Sequence, residues 1–287
     1  MPSYAAGVRY LSASLLAVSA SCSSGGPASP PTPPPLPRPR IVAHRGASHD
    51  LPENTLAAFR RAWELGVEGI ELDVHTTRDG EVVVIHDPTG RRTTGADRPI
   101  AELTLAEVQA LDAGAWKGPA FTGERIPTLA EALATVPRGR TVFVEIKTKV
   151  DTVDTIARAI RAADVPGRGG HVALQSFDPD ALAAAALAVP GAAAYWTVDP
   201  PVDTTRPDQP RPLPYPAAMV DEAVARGFAG VALDYRAVDD ALLGRLRAAG
   251  LLVDVWTVND PATIATWAAR DVRWIETDRP DLVSVAR

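Results

Sequence analysis

The sequence has a single cysteine, Cys22, so no intrachain disulfide can staple the fold and no thiolate cage can hold a metal. Beyond residue 20 it lacks any apolar run near the ~20 residues that a membrane-spanning helix needs. Positive charge is also scarce. Lys and Arg number 29 against 35 Asp and Glu, a formal charge of −6, and no basic run appears anywhere. No nucleic-acid surface is therefore expected, although single cations remain for a bound anion. The apolar fraction, 46%, is ordinary for a soluble globular protein.

The front of the chain has features of its own. Arg9, the short and mostly apolar run from Leu11 to Ala20, and the small residues after it read as an export signal over residues 1–22. Cys22 stands where a bacterial lipoprotein carries its lipidated cysteine. Ordinary cleavage after Val18-Ser19-Ala20, releasing a soluble protein, is the alternative. The expected location is thus outside the cytoplasm, either as a cell-envelope lipoprotein tethered to the membrane through Cys22 or as a secreted protein. Residues 23–40 form a linker with eight prolines between Pro27 and Pro39, an extended spacer rather than packed structure.

From Ile41 onward, short apolar runs alternate with helical patterns. Eight runs qualify as strands, from Ile41–Ala43 and Gly69–Val74 to Leu252–Thr257 and Arg273–Glu276. Asn54, Thr128, Asp178 and Asp260 stand where helix N-caps belong, with proline following Asp178 and Asp260. The alternation predicts an α/β fold, a (β/α)8 TIM barrel spanning residues 41–287, with an open doubly wound sheet as the alternative. One apolar run, Glu81–Ile85, follows strand 2 too closely for a parallel crossover. It is expected to fold back as a hairpin with Asp79-Gly80 at the tip, which would set His86 opposite Asp73. A small insertion, about 88–126, precedes strand 3, and a second irregular stretch covers Asp199–Pro216.

The ends of the early strands carry the chemistry. Glu71 and Asp73 are two apart on a strand and share a face, and Glu145 and Lys147 repeat that spacing on strand 3. Carboxylates converging on one mouth repel unless a cation compensates. Oxygen ligands without cysteine favour one hard divalent ion, Mg2+ or Ca2+. His44 and His86 lie beside the charged neighbours Arg45 and Asp87 and suit proton transfer to and from a leaving oxygen. Arg45 and Lys147 offer charge for an anionic substrate. Together they describe a phosphate-cleaving site with one divalent ion. Glu53 is expected to orient Arg45 or a metal ligand, His75 shares the Asp73 face, and Trp116 is expected to pack.

The motifs HRG (His44–Gly46), PENT (Pro52–Thr55), GIELDV (Gly69–Val74), HD (His86–Asp87), EIK (Glu145–Lys147), QSFD (Gln175–Asp178), WTVN (Trp256–Asn259) and TDRPD (Thr277–Asp281) run in order through the folded part. In this the chain resembles the glycerophosphodiester phosphodiesterase family of barrel phosphodiesterases. The resemblance implies a metal-dependent enzyme that hydrolyses a glycerophosphodiester to sn-glycerol 3-phosphate and an alcohol. It implies that Glu71, Asp73 and Glu145 hold the metal and that His44 and His86 form the acid–base pair. Arg45 and Lys147 would contact the phosphoryl oxygens, and Trp256 would line the substrate pocket. The expected partner is the small-molecule substrate, and no protein partner is indicated. Two alternatives are a phospholipase D-like lipid phosphodiesterase of the sphingomyelinase type and a non-catalytic envelope binding protein.

Overall fold

A computed structural model describes residues 39–205 and 211–284, so the expected export signal, Cys22 and most of the linker lie outside the described residues. Eight parallel strands carry the domain: β1 (Arg40–Ala43), β2 (Gly69–Thr76), β3 (Thr141–Ile146), β4 (His171–Ser176), β5 (Ala193–Val198), β6 (Gly230–Asp234), β7 (Leu252–Trp256) and β8 (Trp274–Thr277). Each pairs with its neighbours in sequence, and β1 pairs with both β2 and β8. That last pairing closes the sheet, so the fold is the (β/α)8 barrel and not an open sheet.

Alternation along the strands sorts two interiors. Ile70, Leu72 and Val74 of β2, Val142 and Val144 of β3, and Val253 and Val255 of β7 face outward into a large core shared with the helices. In the helix Val153–Ala163 the buried residues are Val153, Ile156, Ala157 and Ile160, the i, i+3, i+4, i+7 stripe such a contact requires. The inward positions first build an apolar plug of Val42, Phe143, Ala173, Tyr195 and Trp274. Trp274 packs edge-on to Phe143 at 5.1 Å, and its Nε1 donates to the Tyr195 hydroxyl at 3.0 Å. Above the plug the inward positions turn polar and stay buried: Glu71, Asp73, Glu145, Gln175, Asp254 and Glu276. Catalytic groups in barrels sit at this C-terminal end.

Thr128, Asp178 and Asp260 cap their helices as expected. Asn54 does not. Thr55 is the cap of the helix Leu56–Glu64 and accepts from the Ala58 N–H at 3.2 Å, while the Asn54 side chain turns inward to Asp73. Asn and Thr both serve at N-caps, so the competing demand of the buried carboxylate decides which one is free to do it.

The hairpin forms one register away from the expected one. β2 runs past the barrel and pairs antiparallel with Val82–Val84, Val74 opposite Val84 and Thr76 opposite Val82. Its tip holds three residues, 78–80, because the Thr77 N–H donates to Glu81 O at 2.8 Å and Gly80 takes a left-handed φ of 83°. The extra tip residue, relative to a two-residue turn, brings Ile85 rather than His86 opposite Asp73. The insertion follows, with a two-stranded ribbon (Thr89–Gly90 with Ala96–Pro99) and a helix at Leu105–Gln109. Ile100, Leu103, Val108 and Ile126 form its own small core against Val83 and Ile85. This anchors the insertion beside the barrel mouth. Among the described residues no helix is long and apolar enough to cross a membrane.

Candidate active site

Asp73 and Glu145 are register partners on β2 and β3, and Glu71 lies one inward position below Asp73. One carboxylate oxygen from each of the three lies within 4.8 Å of the others. Glu71 Oε1 and Asp73 Oδ1 are buried with no hydrogen-bond partner. Burial, then the charges of Asp73, Glu276 and Glu145, raises the Glu71 carboxyl well above its ordinary value. Burial and the Asp73 charge push Glu145 up to about 7, with Lys147 opposing. Asp73 goes the other way: burial alone would raise it, but Lys147, Arg45 and the Asn54 amide hold it at about 2. Three hard oxygen donors, with orphaned lone pairs and mutual repulsion, fit a divalent cation.

The cations sit on these acids. Arg45 adopts a left-handed φ of 56°, which lets its main-chain N–H donate to Glu71 Oε2 at 2.9 Å. Its guanidinium reaches Glu53 Oε1 at 2.9 Å and lies 3.4 Å from Asp73 Oδ2. Lys147 Nζ stands 2.8 Å from Glu145 Oε1 and 3.4 Å from Asp73 Oδ1. Gly46 completes the turn at φ 80°, where a Cβ would come within 2.8 Å of the Ala58 main chain. Such a turn needs glycine.

Both histidines are clamped through Nδ1. His44 Nδ1 lies 2.7 Å from Asp278 Oδ1, and Asp278 in turn accepts from Ser48 Oγ (3.0 Å) and Asn259 Nδ2 (2.7 Å). His86 Nδ1 lies 2.6 Å from Asp87 Oδ1, and the His86 carbonyl is 3.1 Å from Nε2 of the buried His75. A carboxylate only accepts, so each Nδ1 carries a hydrogen and Nε2 is the atom left for proton transfer. Burial, with Arg45 and Lys147, holds the His86 pKa below its ordinary value against the pull of Asp73 and Asp87.

His44, Arg45, His86, Glu145, Lys147 and Trp256 line one cavity of about 200 Å3. Glu71 and Asp73 are buried at its base beside Glu145, so the eight residues singled out in the sequence converge on one place. The Trp256 ring meets Phe177 edge-on at 6.1 Å and forms part of the apolar wall.

Four residues with structural roles here escaped sequence reasoning. Asp278 was visible only as part of TDRPD, Asp87 only as the neighbour of His86, and Asn54 only as a cap. Arg92 had no signal at all. It forks onto Glu53 (2.6 and 2.8 Å) and reaches Asp87 at 2.7 Å. One guanidinium therefore braces the partner of Arg45 and the partner of His86 together. Trp116 is a correction: it is 40% exposed at the rim instead of packed inside. His171 is exposed at the start of β4, the end of the barrel opposite the site.

Residues 44–282 match the family model for the glycerophosphoryl diester phosphodiesterase family. A glycerophosphodiester phosphodiesterase of Bacillus subtilis (strain 168) is 29% identical over 259 residues, 84% of each chain. Among solved structures, an Oleispira antarctica phosphodiesterase in complex with the product sn-glycerol-3-phosphate aligns with a TM-score of 0.74 at 27% identity, covering 87% of this chain and 98% of that one. The glycerophosphodiester phosphodiesterase of Thermotoga maritima aligns with a TM-score of 0.67 at 26% identity, covering 88% and 100%.

Proposed function

We propose, from the premise that this chain belongs to the glycerophosphoryl diester phosphodiesterase family, that it hydrolyses glycerophosphodiesters to sn-glycerol 3-phosphate and a free alcohol. His86 and His44 act as base and acid. The observation that carries this reading is the pair of carboxylate-clamped histidines lining one cavity with Arg45, Lys147 and an acid of the buried triad.

Glu71, Asp73 and Glu145 would hold one divalent cation, Mg2+ or Ca2+, which when bound supplies Lewis-acid charge at the phosphoryl group. Arg45 and Lys147 add donors for the phosphoryl oxygens, and Trp256 gives the glycerol an apolar wall. His86 Nε2 takes the proton of the glycerol 2-hydroxyl as that oxygen bonds to phosphorus. The bond from phosphorus to the departing alcohol breaks, and His44 Nε2 gives its proton to the departing oxygen. Water then opens the cyclic phosphate with the two histidines in reversed roles. The order of roles follows from position: His44 lines both the inner cavity and a wider outer one, whereas His86 lines the inner one. Asp278 accepts from His44 Nδ1 and so orients its Nε2, and the contact holds Asp278 below the usual carboxylate range against its burial.

The test is release of sn-glycerol 3-phosphate from glycerophosphoethanolamine, measured with EDTA and after adding back Mg2+ or Ca2+. Activity should need the metal, and His44→Ala and His86→Ala should each lower kcat by about 10²–10⁴-fold with Tm retained. Full activity in either variant would refute its role. Cleavage of sphingomyelin or lysophosphatidylcholine without glycerol 3-phosphate release would replace the reading with a lipid phosphodiesterase. Export, with lipidation at Cys22 as the tether, is part of the same proposal and rests on residues 1–22 alone. Recovery of the expressed protein in the cytoplasm with its N-terminus intact would refute it.

A further inference from the structure

A second cavity, about 540 Å3, opens on the β1 and β8 side of the mouth and shares His44 and Arg45 with the inner one. Its far wall is Trp116 and Lys117 from the insertion, and Asn259 and Arg279 close the near side. If the glycerophosphoryl part occupies the inner cavity, the departing alcohol leaves past His44 into this space. The charges facing it are largely matched among themselves. Glu53 is held by Arg45 and Arg92, Asp278 by hydrogen bonds from His44, Ser48 and Asn259, and Arg279 by Asp281 at 2.9 and 3.0 Å. Lys117 is the exception. It donates to the Ser48 carbonyl at 2.7 Å and, among the described residues, has no carboxylate within ion-pair distance. Two of its three protons are thus available to an incoming acceptor. The aromatic surface beside it does not compensate a cation, because the Trp116 ring already has Lys117 Nζ at 5.5 Å and the Arg92 guanidinium at 6.0 Å from its centroid. A cationic head group would meet those two charges instead of an open ring face.

We propose that this outer cavity is the head-group subsite and that Lys117 makes it select glycerophosphodiesters whose alcohol carries an anionic group, above all a carboxylate. The inference rests on the phosphodiesterase reading of the inner site. Glycerophosphoserine and glycerophosphoethanolamine are the apt probes, since their head groups differ by one carboxylate. A charge-assisted hydrogen bond at a half-buried site predicts a kcat/KM ratio, serine over ethanolamine, of roughly 5–10.

The experiment measures that ratio for the wild type, Lys117→Met and Lys117→Arg, each checked for an unchanged Tm. The ratio should fall to about 1 in Lys117→Met and be kept in Lys117→Arg, and it should shrink with added salt in the wild type. A wild-type ratio near or below 1, or a ratio unaltered in Lys117→Met, overturns the subsite. Absence of glycerol 3-phosphate from both substrates with metal present refutes the inner-site reading instead, so the two failures are told apart. Should Lys117→Met unfold, Lys117→Gln takes its place with the same expected ratio.

Discussion

Glu145 tests whether the buried acids are built for a cation. Burial and the neighbouring Asp73 charge lift its carboxyl from the ordinary 4.5 to about 7, even with Lys147 in contact. At 1.36 kcal/mol per pH unit, ionising it in the folded protein costs roughly 3 kcal/mol. An acid with a raised folded-state pKa contributes stability that is fully present below about 4.5 and is lost as pH rises through about 7. Glu71, raised by burial and by the same crowd of carboxylates, carries the loss to higher pH. A divalent cation binds the ionised forms and reverses the trend. For a chain of this length 1 kcal/mol moves Tm by about 2–4 °C, so the Glu145 contribution is about 6–12 °C.

Thermal unfolding from pH 5 to 8.5, in EDTA and with saturating Mg2+ or Ca2+, reads this out. The two curves should converge near pH 5 and separate above pH 7. Comparison of Glu145→Gln with wild type isolates the single group: in EDTA the variant should match wild type near pH 5 and melt higher at pH 8, and the metal should raise its Tm less. The loss of the Lys147 ion pair is already contained in that difference, because Lys147 lowers the Glu145 pKa from what burial alone would give. If Glu145→Gln melts lower than wild type at pH 8, or if the difference between them is flat across the range, Glu145 is not a repelled carboxylate and the electrostatic reasoning fails.

Arg92→Ala removes the brace between Glu53 and Asp87 and should lower kcat/KM about 10-fold. Tm should drop by only a few degrees, as for exposed ion pairs. The loss should fall on kcat more than on KM, and Arg92→Lys should recover little, since a lysine lacks the planar fork that grips both Glu53 oxygens while a third nitrogen reaches Asp87. Equal activity in Arg92→Ala would mean that the pairs are surface decoration. Gly46→Ala forces a side chain into a left-handed turn and within 2.8 Å of the Ala58 main chain, so denaturant unfolding should show a loss of about 2–4 kcal/mol.

Much of the barrel was readable because its strands are buried on both faces, so they appear as short apolar runs, and the exceptions at alternate positions, Glu71, Asp73 and Glu145, stand out against them. The parts that were not readable depend on contacts the chain makes with itself at long range. Asp278 reaches His44 across 234 residues only because β8 closes against β1. The hairpin register turns on a single extra residue at the tip. Asn54 and Thr55 are both good caps, and only the buried Asp73 assigns one to the helix and the other to the site. Arg92 and Trp116 belong to an insertion without periodicity, whose fold is set by a small core against Ile85 that no local pattern announces.

The barrel interior also explains how so many acids are tolerated in one column. Inside the barrel, Asp254 and Glu276 share the Gln175 amide, at 3.2 and 2.8 Å. Burial and the Glu276 charge raise Asp254 well above its ordinary value, which favours its protonated form. These two acids are therefore relieved by a proton and an amide. The metal-site acids, Glu71, Asp73 and Glu145, are relieved by Arg45, Lys147 and the cation their geometry fits. The plug of Phe143, Tyr195 and Trp274 seals the floor, so water cannot solvate the acids from below. Compensating charge then comes from the mouth, where Arg45 and Lys147 stand.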